Sequence, residues 1–312
     1  TRARALGSAE GDRRARWSAR PSGTAGGPMR PLCPMRPGAA RAPSSSRAGS
    51  VASMTSASAR RPGPALTTPA FEHRPVMLAE VVEILSTVPA CVYLDSTLGG
   101  AGHAAALLDA APQLSLVGLD QDPDAVDAAR AALARFGDRA TVVRSRFDRL
   151  DEVLESRGVT GVAAALFDLG VSSPQLDRAE RGFSYRADAP LDMRMDPGGP
   201  IRAEDVVNGW PEADLTRLFR EHGETRFARR IARAVVANRP VSTTAQLAEI
   251  VRSAIPAAAR RTGGHPARRV FQAVRVAVNE ELSILPDALD AVLDRLVPGG
   301  RLVVLSYHSG ED

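Results

Sequence analysis

The sequence contains no lysine, and all 40 of its basic residues are arginine. This absence argues against enzymes that use a Tyr/Lys pair for acid–base catalysis, such as the commoner NAD(P)-dependent oxidoreductases. Only two cysteines occur, and no Cys/His cluster has the spacing of a zinc site, so we expect no metal. No apolar run reaches the ~18 residues that a membrane-spanning helix requires, so we expect no membrane partner.

The positive charge is concentrated at the amino-terminal end. Residues 1–70 hold twelve arginines and only two acidic residues, Glu10 and Asp12, which gives this segment a net charge of +10. The whole chain carries +4, so the remaining residues carry −6. The basic character of the chain therefore does not indicate that its folded part binds nucleic acid.

Residues 1–70 are rich in Arg, Ala, Ser, Pro and Gly and lack hydrophobic periodicity. Such a segment cannot bury enough apolar surface to offset the entropy of ordering, so we predict that it is disordered. The favoured interpretation is an extension upstream of a start at Met54. The alternative is a mitochondrial transit peptide, because the segment is rich in Arg and Ser and poor in acids.

Regular alternation of strand and helix patterns begins after residue 71. Strands are predicted at residues 92–95, 114–120, 141–144, 162–168 and 301–306. Helices are predicted at 101–110, 123–136 and 150–157, with Asp122 as the cap of the second. The alternation predicts an α/β fold with a doubly wound, mostly parallel sheet.

The alternation is interrupted between residues 177 and 275. A loop-like stretch to residue 209 precedes predicted helices at 213–238 and 244–259, and further helices at 269–285 and 286–296 lead to the last strand. We therefore divide the chain into a disordered tail (1–70), a sheet domain (71–176 plus 276–312) and a helical insertion domain (177–275).

The stretch VYLDSTLGGAGH, residues 92–103, is a strand that runs into a glycine-rich turn. Such a turn lies at the carboxyl edge of a parallel sheet, where ligands bind and where glycine lets the backbone approach them closely. Asp120 ends the next strand, and its carboxylate could accept both ribose hydroxyls of an adenosine. These two features fit NAD and S-adenosylmethionine equally well.

Asp95 favours S-adenosylmethionine over NAD. A negative charge at the end of the first strand is unfavourable beside a pyrophosphate, but it suits the cationic amino-acid end of S-adenosylmethionine, either directly or through ordered water. In addition, Gly100-x-Gly102 is followed by Ala105, where the dinucleotide pattern usually has a third glycine. From these residues alone, a methyltransferase is favoured over a dehydrogenase.

Five further strings carry a family resemblance. They are DLGVSSPQLD at 168–177, ERGFS at 180–184, PLDMRMD at 190–196, HPARR at 265–269 and SYHSGED at 306–312. In this order they resemble the bacterial 16S ribosomal RNA (cytosine-N4)-methyltransferases, the RsmH or MraW family, from about His73 to the end of the chain.

The resemblance implies a class I, Rossmann-like methyltransferase fold and S-adenosylmethionine as cofactor. It implies N4-methylation of a cytidine in the decoding region of small-subunit ribosomal RNA, with the small ribosomal subunit as partner. The bacterial cytoplasm is the expected location, with the mitochondrial matrix as the alternative. The oligomeric state stays open, a dimer being one option.

The resemblance also assigns site residues. The implied cofactor contacts are Ala101, Gly102, His103, Asp120, Phe147, Asp168 and Gln175. The turn amides would face the methionine end, Asp120 the ribose and Phe147 the adenine. Asp168 would accept a hydrogen bond from the adenine amino group or the ammonium group.

Ser173 and His308 are candidate catalytic groups that would hold the substrate amine at the end of two strands. The alternative is a structural role, in which Ser172 caps a turn and His308 forms hydrogen bonds with the local backbone.

The chain departs from the family pattern at three positions. Ser96 and Ala101 stand where the family usually has glycine, and Gly310 stands where it has leucine. Related chains also continue past the position of Asp312 through a basic segment and an antiparallel hairpin. We therefore expect the strand at 301–306 to lie at or near an unpaired edge of the sheet.

Arginines in the insertion indicate RNA binding. Arg226, Arg229, Arg230 and Arg233 recur at helical spacing, and Arg260, Arg261, Arg268, Arg269 and Arg275 surround a glycine-rich break. For these arginines, the alternative is a solvated charged face. The loop at 192–196 is predicted to clamp the substrate, and the alternative for this loop is a solvated Asp–Arg pair.

Two other functions stay open: an NAD(P)-dependent oxidoreductase and a non-catalytic RNA-binding assembly factor.

Overall fold

The structure is a computed structural model that describes residues 2–6, 75–222, 224, 226–257, 259, 265 and 267–307. Of residues 2–6 and of residue 173 it describes the backbone alone. In this part of the chain, no helix is both long and apolar enough to span a membrane.

Among the described residues, six strands form one sheet in the order β1-β6-β5-β2-β3-β4. They are β1 (Arg2–Leu6), β2 (Val92–Asp95), β3 (Ser115–Asp120), β4 (Ala140–Arg144), β5 (Val162–Asp168) and β6 (Leu296–Ser306). Strands β2 to β6 are parallel, and β1 pairs with β6 in the antiparallel direction. The chain moves from β2 outward through β3 to β4 and then returns to place β5 on the other side of β2. This reversal confirms the predicted doubly wound sheet.

The helices are α1 (Leu78–Leu85), α2 (Gly102–Ala110), α3 (Pro123–Leu133), α4 (Leu150–Ser156), α5 (Ser173–Asp177), α6 (Ala203–Gly209), α7 (Glu212–Glu221), α8 (Ala228–Ala237), α9 (Thr244–Ala254), α10 (Arg268–Asn279) and α11 (Leu285–Arg295). The predicted cap of α3 is confirmed, because the Asp122 side chain accepts a hydrogen bond from the Asp124 amide at 3.1 Å.

Two separate hydrophobic cores hold the molecule together. The first surrounds the sheet, where Tyr93 and Phe167 are fully buried and β5 is buried from Val162 to Phe167. The second lies within the insertion and joins α6 to α10 through residues such as Phe219 and Val274. Full burial of each large apolar side chain contributes about 1.5–3 kcal/mol, so each core is a substantial source of stability.

The single helix predicted at 213–238 is wrong: the structure has two helices, α7 and α8. Leu215 and Phe219 of α7 and Ile231 of α8 are all buried in the second core. The turn between the helices is fixed by Glu224, whose amide donates to the Phe219 carbonyl and whose carboxylate accepts the Phe227 amide at 3.1 Å. Folding the chain back lets both helices bury their apolar faces in the same core, whereas one long helix would extend beyond it.

The structure also differs from the expectation at the amino-terminal end. Arg2–Leu6, the part of residues 1–70 that the structure describes, forms a strand where the sequence predicts no regular structure. This strand pairs with β6, Arg2 opposite Ser306 and Leu6 opposite Leu302, so the outer edge of β6 is occupied rather than open. The remainder of the predicted tail lies outside the described residues.

Candidate functional site

A cleft of about 1190 Å³ lies at the carboxyl edge of the parallel strands, between the sheet and the insertion. Residues after β2, β3 and β5 form one wall, and residues of the insertion, including Tyr185 and Phe271, form the other. The sheet reverses between β2 and β5, and this is the position at which α/β sheets bind ligands. The cleft is therefore the candidate active site.

The glycine-rich turn forms the floor of the cleft. A Cβ atom added at Gly99 or Gly100 would meet nothing within 4 Å, so the backbone here is open toward the cleft. Gly99 and Ala101 both have positive φ, 51° and 64° respectively. Gly102 has a different requirement, because a Cβ there would overlap the ring of Pro75. The turn therefore presents backbone to a ligand at positions 99 and 100. Gly102 also lines the cleft while it makes room for Pro75, and its contact with a cofactor stays a prediction.

Asp120 is held rigidly at the tip of β3. Its Oδ2 accepts the Gly99 amide at 2.8 Å, and its Oδ1 accepts the Asp122 amide at 2.9 Å. Burial raises the pKa of Asp120 to about 6, although these backbone hydrogen bonds lower it in part. Each carboxylate oxygen has a second lone pair. The side chain therefore lines the cleft with acceptor capacity that a pair of ligand hydroxyls could use.

Asp168 lies on the opposite side of the switch point, at the end of β5. Its Oδ1 accepts a hydrogen bond from the Tyr307 hydroxyl at 2.7 Å, and its Oδ2 lies 3.6 Å from His103 Nδ1. The Asp168 amide donates to Thr97 Oγ1 at 2.6 Å, which ties the end of β5 to the turn after β2. Tyr307 had no role in the sequence-based prediction, although it belongs to the SYHSGED string.

His103 is buried and contacts the protein at both ring nitrogens. Its Nε2 lies 2.9 Å from the Val76 carbonyl, and a carbonyl can only accept, so Nε2 carries a proton. Its Nδ1 faces Asp168. His103 lines the cleft and also packs the turn against the residues that precede α1.

Asp95 does not fit the direct contact that was one of the two options for it, and a contact through ordered water stays a prediction. The residue is 2% exposed and does not line the cleft. Its carboxylate accepts the Tyr93 hydroxyl at 2.7 Å and the Thr97 amide at 3.2 Å. Burial raises the pKa of Asp95 to about 6, against the lowering effect of the Tyr93 hydrogen bond. Asp95 therefore supports the turn from behind and does not meet a cofactor directly.

Ser96 has an unsatisfied hydroxyl group at the cleft wall. The residue is 2% exposed, and its Oγ has no hydrogen-bond partner among the described residues. A buried hydroxyl without a partner is costly, of the order of 1–3 kcal/mol. This orphan group, the open glycine backbone and the acceptors of Asp120 fit a polar, adenosine-containing cofactor.

The other predicted cofactor contacts occupy different positions relative to the cleft. Phe147 lines it, with its ring 5.7 Å from Phe167 in an edge-to-face arrangement. Gln175 lines it too, but its amide is engaged by the protein: Oε1 accepts the Ser172 amide, and Nε2 donates to Asp122 at 2.9 Å. Ala101 is buried behind the turn and does not line the cleft. Direct contact of each with a cofactor stays a prediction.

The two predicted catalytic groups stay predictions as well. Ser173 begins α5 beside the cleft, but its side chain lies outside the described residues. His308 also lies outside them, one residue after Tyr307. Neighbouring positions on both segments, Ser172 and Tyr307, line the cleft.

Internal ion pairs engage one of the predicted RNA contacts and the predicted substrate clamp. Arg275 lines the cleft but forms a bidentate ion pair with Glu281 at 2.9 Å, and both side chains are largely buried, so contact of Arg275 with RNA stays a prediction. Arg194 likewise pairs with Asp192 through two hydrogen bonds and donates to the Gly199 carbonyl. The 192–196 loop is therefore braced internally by an Asp–Arg pair that is largely buried, not solvated as the alternative interpretation had it.

The loop at 192–196 also connects the insertion to the sheet. Asn279 donates to the Met193 carbonyl at 2.8 Å and accepts the Met195 amide at 2.7 Å, and Met195 lines the cleft. On the other side, Arg181 donates to Asp122 at 2.9 Å. These contacts hold the insertion above the carboxyl edge of the sheet.

Comparison with protein families identifies one match. The model of the family described as the MraW methylase family matches residues 70–312, which is more than half of the chain. The match covers strands β2 to β6, the insertion and every residue that lines the cleft.

Individual proteins are similar over the same part of the chain. The chain is 56% identical over 251 residues to ribosomal RNA small subunit methyltransferase H of Thermobifida fusca (strain YX), covering 78% of this chain and 76% of that protein. It is 53% identical over 247 residues to the protein of the same name from Heliobacterium mobile, covering 78% and 79%.

Solved structures are more distant. A putative methyltransferase from Streptococcus mutans, in complex with S-adenosylhomocysteine, is 19% identical with a TM-score of 0.27, covering 32% of this chain and 55% of that one. A likeness of this size carries no argument about the site.

Proposed function

Because the chain belongs to the MraW methylase family, we propose that it methylates the exocyclic N4 of a cytidine in the decoding region of small-subunit ribosomal RNA. The observation that carries this proposal is the cleft, which presents two acidic strand ends, Asp120 and Asp168, to one ligand space that continues onto the insertion. S-adenosylmethionine is the cofactor of this family, and it supplies an electrophilic methyl group when it is bound.

The residues of the sheet side would hold the cofactor. Asp120 would accept hydrogen bonds from the ribose hydroxyls, since both of its oxygens are already fixed by backbone amides. Phe147 would lie against the adenine ring. The open backbone at Gly99 and the unpaired hydroxyl of Ser96 would face the polar methionine end.

The chemical problem is that the cytosine amine is a weak nucleophile, because its lone pair is delocalised into the ring. Acceptors that take hydrogen bonds from the amine favour a tetrahedral nitrogen and align its lone pair with the methyl carbon. Asp168 would be one acceptor, oriented by the Tyr307 hydroxyl. Ser173 and His308 remain the proposed substrate groups near it. The nitrogen would bond to the methyl carbon as the bond from that carbon to the sulfonium sulfur breaks, which leaves S-adenosylhomocysteine, and the nitrogen would release one proton to solvent or to such an acceptor.

The insertion would receive the RNA. Arg229 and Arg230 are exposed on α8 and form no ion pair with the described residues, so they are suited to phosphate contacts. Arg268 is exposed at the rim of the cleft. A base inside a duplex could not reach the sheet, so the target would have to be single-stranded or turned out of its helix. We propose the bacterial small subunit as partner and the cytoplasm as location.

The test is a methyl-transfer assay on small ribosomal subunits that lack the modification, with tritium-labelled S-adenosylmethionine and mapping of the labelled nucleotide. We expect label on N4 of one cytidine. Label on a different atom would reject the substrate assignment. Binding of S-adenosylhomocysteine without transfer would favour the non-catalytic assembly factor.

Asp120→Asn provides the matched test of cofactor binding. It should raise the Kd for S-adenosylhomocysteine at least about tenfold, because it weakens hydrogen bonds to a charged acceptor. The wild-type affinity should fall as the pH drops below about 6, where Asp120 takes up a proton, and the variant should lose this dependence. Asp127→Asn, at an exposed position of α3, is the control for calorimetry. It should change neither the Kd for S-adenosylhomocysteine nor the dependence of this Kd on pH. Unchanged affinity in Asp120→Asn would remove Asp120 from the site.

A further inference from the structure

Aromatic side chains are concentrated around the cleft. Only 4% of the chain is Phe, Trp or Tyr, yet five such residues line this one cleft: Phe147, Phe183, Tyr185, Phe271 and Tyr307. Phe147 and Tyr307 belong to the sheet side, where the cofactor residues lie. The other three lie on the insertion side and have no part in the cofactor binding or the methyl transfer proposed above.

Tyr185 is the member of this group whose ring already stacks on another ring. The His265 imidazole lies parallel to it, with centroids 4.3 Å apart and an interplanar angle of 12°. Phe271 meets Tyr185 edge to face at 5.7 Å and supports it from the second core. The ring of Tyr185 therefore presents a flat surface, held in orientation by a buried neighbour.

The His265 side chain is exposed, and its Nδ1 accepts the amide of Ala267, only two residues further along the chain. Its ring also stacks on Tyr185, which lies in a different part of the chain. A planar ligand with a larger π surface could take this face of Tyr185 without disturbing the core.

The surroundings identify the chemical class of such a ligand. Arg186 follows Tyr185 in the chain, and Arg268 precedes Phe271 by three residues on α10; both arginines are exposed and line the cleft, as does Gln272. Flat aromatic faces beside arginines fit a nucleotide in single-stranded form, whose base stacks while its phosphate meets the cation. An aliphatic or peptide ligand would use neither the parallel ring geometry nor the two cations.

We propose that Tyr185 is the stacking partner of the RNA base that enters the cleft, and that the base displaces the His265 ring from this face. This inference rests on the proposed function and assigns a substrate-positioning residue to it. The base would then be held between the insertion and the cofactor residues, with its exocyclic edge directed toward the end of β5.

The experiment measures binding of a cytidine hexanucleotide that contains one pyrrolocytidine, a base whose fluorescence reports stacking. Tyr185→Leu keeps apolar bulk but removes the ring, and it should weaken binding about tenfold and reduce the fluorescence change. Tyr185→Phe keeps the ring and should stay within about twofold of wild type. His265→Ala should bind about twofold or more tightly, because no ring has to be displaced.

The controls separate stacking from folding and from cofactor binding. Phe136→Leu changes an aromatic residue that packs on the sheet core and does not line the cleft, and it should leave RNA binding unchanged. All Tyr185 and His265 variants should keep the wild-type Kd for S-adenosylhomocysteine, and Tyr185→Leu should raise the KM for small subunits more than it lowers kcat.

Three results would overturn the inference. If Tyr185→Leu binds RNA normally while wild type methylates small subunits, Tyr185 does not stack the base although the proposed function holds. Weaker binding by His265→Ala would show that the histidine holds the base rather than yielding to it. Loss of RNA binding in Tyr185→Phe would assign the effect to the hydroxyl instead of the ring. Failure of wild type to methylate any RNA would count against the proposed function itself.

Discussion

At the scale of single residues, the turn after β2 shows how a few positions carry both the fold and the site. Asp95 and Asp120 end neighbouring strands, and the sequence treats them alike. The structure separates them: Asp95 is enclosed by Tyr93 and Thr97, whereas Asp120 lines the cleft. The difference lies in where each side chain points from its strand, which depends on the pleat and on the turn that follows.

Ala101 provides a test of strain in this turn. Its φ of 64° is unfavourable for a residue with a Cβ, at a cost of roughly 1–2 kcal/mol, whereas glycine adopts it freely. Ala101→Gly should therefore raise the free energy of unfolding by about 0.5–1 kcal/mol, once the entropy of the unfolded glycine is subtracted. Urea denaturation followed by circular dichroism measures this change.

The matched control lies in the following helix. Ala105→Gly, in the interior of α2, should lower the free energy of unfolding by about 1 kcal/mol, because glycine is a poor helix former. Changes of opposite sign in the free energy of unfolding of the two variants would support strain at position 101. A loss of stability in both would contradict it.

At the scale of elements, the insertion shows what a helical pattern can and cannot predict. The pattern at 213–238 correctly predicts helix, but two helices pack there instead of one. The turn depends on Glu224, a buried residue that caps the start of α8. Nothing in the local periodicity distinguishes a buried capping glutamate from a solvated one, because the difference is made by the residues that cover it.

Helix α8 carries the prediction on RNA binding. Arg233 has Glu212 within 3.6 Å and Arg226 lies over the Phe227 ring, but Arg229 and Arg230 are exposed without such contacts among the described residues. The double variant Arg229→Gln/Arg230→Gln should weaken RNA binding and reduce the slope of log affinity against log salt by about 1.4–1.8. Filter binding at several salt concentrations measures both.

A control with the same charge change is available on the sheet domain. Arg130 and Arg135 are exposed but pair with Asp127 and Asp109. Replacing both by glutamine should leave the salt slope unchanged, and neither double variant should alter the Kd for S-adenosylhomocysteine. If the two double variants weakened RNA binding and lowered the salt slope equally, the RNA would be attracted by general positive charge and not by contacts specific to α8.

At the scale of the whole molecule, stability should depend on pH through the buried centre of the sheet. Burial raises the pKa of Asp95 to about 6 in the folded state, against 3.8 in the unfolded chain. The carboxyl group of Asp95 therefore binds its proton more tightly in the folded state than in the unfolded chain. The contribution of this group to stability is fully present below pH 4 and is lost as the pH rises through 6. The difference corresponds to about 3 kcal/mol at neutral pH.

Asp95→Asn isolates this contribution, since asparagine stays neutral and can still accept the Tyr93 hydroxyl. The free energy of unfolding of the variant, relative to wild type, should rise by up to about 3 kcal/mol between pH 4 and pH 7.5. Asp127→Asn, at an exposed position, should show no such trend. A flat difference across this range for Asp95→Asn would show that Asp95 titrates at its ordinary pKa in the fold.

The sequence by itself determined the alternation of strands and helices between residues 92 and 168, the doubly wound sheet and the family. These follow from local periodicity, from turn residues and from long uninterrupted motifs, which do not depend on what packs where. The positions of Asp120, Phe147 and Asp168 at the carboxyl edge were also predictable. Each residue follows or ends a parallel strand, and the direction of that strand fixes the edge of the sheet at which the residue lies.

Only the tertiary structure decided which of these side chains face the ligand space. It placed Asp95 behind the turn, paired Arg275 with Glu281, left the Ser96 hydroxyl without a partner among the described residues and stacked His265 on Tyr185. These outcomes depend on contacts between residues far apart in the chain. The surrounding fold decides whether a charged side chain is solvated, paired or exposed to a cleft, so a local sequence pattern cannot predict this environment.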